Sequence, residues 1–159
     1  METEDKSRNV RAATYPLIER VLGNELHIER VKGTVENRSD VLFYFIGAKQ
    51  VEHLASNRFI PGAVADHLTS AGGILTGAGQ MSSLRWLEAG ATGSYGTVIE
   101  PCNFLQKFPN PGVFMEHYLR GETLIEAYWK SVAMPGQGLF IGEPLANPYG
   151  RNLRVTMTQ

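Results

Sequence analysis

Residues Val41 to Gly47, VLFYFIG, are the stretch that most narrows what this chain can become. Six aromatic and aliphatic residues run without a polar break, preceded by Ser39-Asp40 and ended by Gly47. A continuous apolar run of that length fits a strand buried on both faces. A second stretch, Gly90 to Cys102, adds to the constraint. A short amphipathic helix ends at Glu88-Ala89 and meets a glycine stop. The spacing then predicts a strand over Tyr95 to Ile99, halted at Pro101 beside Glu100 and the only thiol of the chain. Gly90, Gly93 and Gly96 recur every third residue, which suits close packing or positive φ. Open α/β sheets keep their chemistry at the C-terminal ends of strands, so Glu100 and Cys102 are candidates by position.

The remaining chain alternates helical and extended patterns. Val10, Ala13, Leu17, Ile18, Val21 and Leu22 carry a helical period, which Pro16 either opens or kinks. Gly23-Asn24 stops it. Leu26, Ile28 and Val31 suggest a short strand or an extended link, and AKQVEHLASNRF a loop or short helix. PGAVADHLTSAGG has two readings. Pro61 could open a helix that stops at Gly72-Gly73. The preferred reading is a strand over Ala63 to Ala65, with the polar cluster on the loop beyond. QMSSLRWLEA is expected to be a helix with Leu84 and Leu87 inward, and VFMEHYLRG a helix stopped by Gly121. Thr123 and Glu126 form a capping box for TLIEAYWKSVA. LFIG reads as a short strand, EPLANPYG as an irregular return, and RNLRVTMTQ has no clear role. The pattern predicts one α/β domain over residues 1–159 with a mostly parallel sheet.

Composition removes several function classes. A net charge of −1 and a pI near 6.4 give no electrostatic case for nucleic acid or an anionic membrane. No apolar run approaches the roughly 20 residues that span a bilayer. The polar start METEDKSRNVR is no secretory signal, so the default expectation is a cytoplasmic, reducing compartment. One cysteine excludes an internal disulfide and a cysteine-based zinc site. His27, His53 and His117 are scattered singly, so no metal is expected. Gly72, Gly73, Gly77 and Gly79 match neither phosphate-loop spacing, and no cofactor is expected.

Cys102 could act as a nucleophile with His67 as base and Glu100 orienting that histidine. The plainer reading is a small half-buried residue, and an adjacent carboxylate works against a thiolate. Asp66, His67, Thr69 and Ser70 make the densest polar cluster. Asp66 or His67 could serve as base toward Ser70, although such residues more often cap helices and hold turns. Trp86, Tyr118, Tyr128 and Trp129 are expected in the core or at its rim. Glu116, Glu122 and Glu126 read as solvated faces or caps, and Arg85 with Glu88 as a surface pair.

The segments GAVADHLTSAGG, GQMSSLRWLEAGATGSYGTVIEPCN and KFPNPGVFMEHYLRGETLIEAYWKSVAMPGQGLFIGEPLANP resemble the C-terminal part of an uncharacterised bacterial protein family. The resemblance covers about residues 40–150. More distantly, RWLEAGATGSYGTVIEP resembles the helix, turn and strand that follow the catalytic Cys in caspase-like peptidases of the gingipain and CHAT kinds. LRGETLIEAYWKS resembles their late helix. In that register Phe45-Ile46-Gly47 stands where His-Gly is expected and Thr69 to Gly73 where the Cys loop is, with Ser70 nearest the nucleophile. The resemblance implies a three-layer caspase-like arrangement, incomplete at its N-terminus if the chain is a portion. Ile46 and Ser70 would replace both catalytic residues. It therefore implies a non-catalytic binding or scaffold domain. The alternative is a cysteine hydrolase using Cys102 with His67 on peptide bonds. The expected partner is a protein, a peptide, or a missing N-terminal half whose absence leaves an apolar edge exposed.

Overall fold

The structure, a computed structural model, describes residues 1–77 and 79–150. The chain enters through a 3₁₀ turn, Asn9–Thr14, that passes directly into α1, Tyr15–Leu22. Pro16 lies in the first turn of α1, where its missing N–H costs nothing, so it opens the helix. β1 (Val41–Ile46) and β2 (Phe59–His67) follow, then the one-turn helix α2 (Leu84–Glu88) and β3 (Gly93–Thr97). Helices α3 (Pro111–Leu119) and α4 (Leu124–Ser131) form a hairpin before β4, Gly138–Gly142. Each of these helices is fixed at its start. The Asn110 side chain accepts from the Gly112 and Val113 amides, and Thr123 and Glu126 close the expected capping box.

The four strands make one open sheet in the order β1-β2-β3-β4. β1, β2 and β3 are parallel, and β4 returns antiparallel to β3. The fold is thus α/β with a mostly parallel sheet. Side-chain alternation gives each face its own core. Phe45, Val64 and Tyr95 pack under α1, α3 and α4 with Phe114, Tyr118 and Tyr128. Tyr44, Ile46, Ala63 and Ala65 pack with Trp86 of α2 on the other face. The run from Val41 is therefore covered on both sides. Among the described residues no helix is long and apolar enough to cross a membrane.

Several boundaries differ from expectation. β3 spans Gly93–Thr97 rather than Tyr95 to Ile99, because its pairing with β4 ends at Thr97–Gly138, leaving Val98 and Ile99 exposed. β2 is longer than Ala63 to Ala65. It takes in Pro61 and Gly62 because the register slips between Val41 and Phe43 of β1, a local irregularity. Leu84 and Leu87 are only half-buried, and Trp86 between them carries the burial of α2. Leu26 and Ile28 lie against the core without strand pairing. Trp129 is exposed at the rim, while Trp86, Tyr118 and Tyr128 are fully buried. Residues 151–159 lie outside the described part. The glycine triplet has a concrete cause. Gly90 sits at φ +104°, a Cβ on Gly93 would strike the Leu124 side chain, and one on Gly96 would lie 2.3 Å from the Gly73 amide nitrogen.

Candidate functional site

The first place to look is the C-terminal edge of the parallel strands, where β1 ends at Ile46, β2 at His67 and β3 at Thr97. Alternation along β2 sends Asp66 and His67 to opposite faces. Asp66 meets Arg11, whose NH2 donates to Oδ1 at 2.5 Å, and both side chains are almost wholly buried. The guanidinium also donates to the carbonyls of Ile46 and Pro109. Burial pushes the Asp66 carboxyl up from its ordinary range against the pull of the Arg11 cation. Arg11 remains the charged partner. Asp66 Oδ2 and Arg11 Nε have no hydrogen-bond partner among the described residues.

His67 lies on the α2 face with both ring nitrogens engaged. The Trp86 indole N–H donates to Nδ1 at 2.9 Å, and Nε2 stands 2.9 Å from the Met81 carbonyl. That pairing assigns the proton to Nε2. Burial lowers the ring's pKa to about 4, so it is neutral at physiological pH. The unfolded histidine binds its proton near pH 6.5 and the folded one only near 4, so folding loses stability as pH falls through that window. The expected loss is about 3 kcal/mol by pH 4. Urea unfolding at pH 7 and pH 4 checks it: a non-titrating His67→Gln variant should lose that share of the pH dependence.

Beyond β2 the chain enters a closed polar network. Arg8 Nε donates to Thr69 Oγ1 at 2.9 Å, and Thr69 Oγ1 donates to Gln80 Oε1 at 2.5 Å. That same oxygen accepts the Ala71 amide, while Gln80 Nε2 donates to Ser70 Oγ. The Ser70 hydroxyl in turn donates to the Glu100 carboxylate. Thr97 Oγ1 ties the backbone of the same loop from below, at 2.9 Å from the Thr69 carbonyl. Thr69 and Ser70 are fully buried, so an incoming substrate meets neither hydroxyl. Ile46 is a core side chain at 0% exposure.

Of the residues singled out in the sequence, the structure joins Ser70 to Glu100. It does not join His67 to Cys102, since both nitrogens of His67 are held within its own core. Cys102 is half-buried and its Sγ lies 3.8 Å from the Ser7 carbonyl. The N-terminal segment also covers this edge. The Met1 amino group donates to the Phe45 carbonyl at 2.7 Å and Thr3 Oγ1 to the Gly47 carbonyl at 2.5 Å. Among the described residues no three His, Cys, Asp or Glu side chains gather as a metal site.

The second place is a groove of about 460 Å³ along β1. β1 is the edge of the sheet, and Val41 to Phe45 form one wall. Tyr15 and Ile18 of α1, Met115 of α3 and the passing segment Leu26 to Val31 face it, and Met1 lines its Phe45 end. Most charges at its mouth are paired: Arg38 with Glu29 at 2.6 Å, and Arg30 with Glu19 at 3.2 Å. Asp40, at the head of β1, has no ion-pair partner among the described residues. The groove is mostly apolar with a few polar groups, the usual make-up of a ligand site.

Sequence reasoning missed the Arg11–Asp66 pair and the groove. The pair had a signal: Arg11, Tyr15, Ile18 and Leu22 fall on one helical stripe, and all four are buried. Comparison with protein-family models, curated protein sequences and solved structures finds no match for the chain.

Proposed function

We propose that the chain is a non-catalytic binding domain, in a caspase-like arrangement, whose ligand lies in the groove beside β1. The observation that carries this reading is the groove itself. It is a sizeable apolar concavity on the flank of β1 that, among the described residues, has no neighbouring strand. The residues suited to chemistry support it from the other side. Ser70 is buried, and His67 would have to give up both of its bonds to act as a base toward Cys102. The order of helix, turn and strand after Gly79 supports the caspase-like reading, and in the register of that resemblance Ile46 and Ser70 would stand at the two catalytic positions.

A neutral apolar dye such as Nile red tests the groove. Leu42 lines it from a half-buried position outside both cores. Leu42→Glu is expected to weaken dye binding about tenfold or more while leaving the unfolding curve near that of the parent. Equal binding by the two proteins would contradict the proposal.

A further inference from the structure

Resting on that reading of the groove, we infer that its occupant is an extended segment of a partner polypeptide, added beside β1 as a fifth strand. Its side chains alternate between aliphatic and polar, and a Lys or Arg meets Asp40.

The backbone of β1 is the first reason. Ile46 turns its carbonyl toward β2, where it accepts the Leu68 amide at 2.8 Å. Phe45 turns its carbonyl the other way, to the Met1 amino group, which burial holds neutral by lowering its pKa to about 5. Strand alternation then puts the amide and carbonyl of Phe43 on the same outer edge as Phe45. No backbone group outside the sheet bonds them among the described residues. An edge with open donors and acceptors between apolar walls suits a strand better than a compact apolar ligand, which would leave those groups dry and unpaired. The Met1 amino group already bonds that edge at Phe45, and the bonds open to a partner are those of Phe43.

Charge is the second reason. Arg30 and Arg38 are neutralised by Glu19 and Glu29, so the charge left open at the groove is the carboxylate of Asp40. It sits immediately before Val41, at one end of the strand. A cationic side chain at one end of the incoming segment neutralises it. With Phe45 already bonded by Met1, the open edge is the first half of β1, Val41 to Phe43, about 10 Å long, so about three residues of the segment pair with it and its ends run on past them. Main-chain bonds then supply affinity and the alternate side chains supply selectivity.

The probe is an acetylated and amidated peptide, Lys-Val-Thr-Val-Thr-Val-Lys, titrated into the full chain. Two companions carry N-methyl groups on one or the other alternate set of residues, and a third has the same composition with valines and threonines in blocks. The expected result is binding of the parent peptide, about tenfold weakening by one N-methylated set only, and weaker binding of the block isomer. Asp40→Asn should weaken the parent peptide about threefold and leave a norleucine analogue unchanged. Equal binding by both N-methylated peptides would overturn strand addition. If the dye binds and no peptide does, the inference fails while the groove stands as a ligand site. If neither binds, both fail. A dimer by sedimentation that the peptide cannot dissociate makes the occupant a second copy and overturns the inference.

Discussion

Asp66→Ala is expected to lower the unfolding free energy by about 3–5 kcal/mol, the cost of leaving a buried arginine without its counter-ion. Arg11 cannot shed its proton, and its side chain is 3% exposed, so water does not replace the lost carboxylate. The double variant Arg11→Met with Asp66→Leu should recover most of that loss, since it removes two desolvated charges together and fills the space with apolar atoms. Urea unfolding of the parent, Arg11→Met, Asp66→Leu and the double variant gives the coupling directly. A loss under about 1 kcal/mol for Asp66→Ala would mean that the pair is not buried as described.

Trp86→Ala has an expected cost of similar size, about 3–5 kcal/mol. The ring is fully buried at 4.8 Å from Tyr44 and 6.2 Å from Phe59, and it is the largest side chain of the α2 face. Its indole N–H is also the donor that satisfies His67 Nδ1. Trp86→Phe separates the two effects. It keeps most of the apolar volume and leaves Nδ1 unpartnered, with an expected cost of about 1–3 kcal/mol. Thermal and urea unfolding of both variants reads the difference, and a Trp86→Phe cost near zero would show that the hydrogen bond contributes nothing.

The α/β class was legible because local signals agreed with the global arrangement. The unbroken run from Val41 demanded cover on two faces, Thr123 with Glu126 marked a helix start, Gly90 marked a positive φ, and Gly93 and Gly96 marked close approach. Boundaries were less legible where a distant partner sets them. Val98 and Ile99 have strand propensity, yet β3 stops at Thr97 because β4 begins opposite it. In α2 the Leu84–Leu87 spacing pointed to the wrong face, since a one-turn helix is oriented by the strand it lies on rather than by its own period.

The candidate site was legible in composition and not in arrangement. Asp66 and His67 read as neighbours in one polar cluster. A strand that continues to His67 separates them to opposite faces of the sheet, and the preferred reading ended that strand at Ala65. The link between Ser70 and Glu100 joins residues 30 apart in sequence and has no local signature. The groove is made by the passage of residues 26–31 beyond β1, and no periodicity in either stretch specifies a gap between them.

The most direct measurement is backbone amide chemical-shift mapping of the chain during titration with the alternating peptide. The expected result is a set of shifts confined to Ile28, Leu42, Phe43 and Met115 around the groove, with Thr69, Ser70, Glu100 and Cys102 unmoved. Shifts centred on Ser70, Glu100 and Cys102 instead would place the ligand at the C-terminal edge of the sheet and contradict the proposed role of the groove.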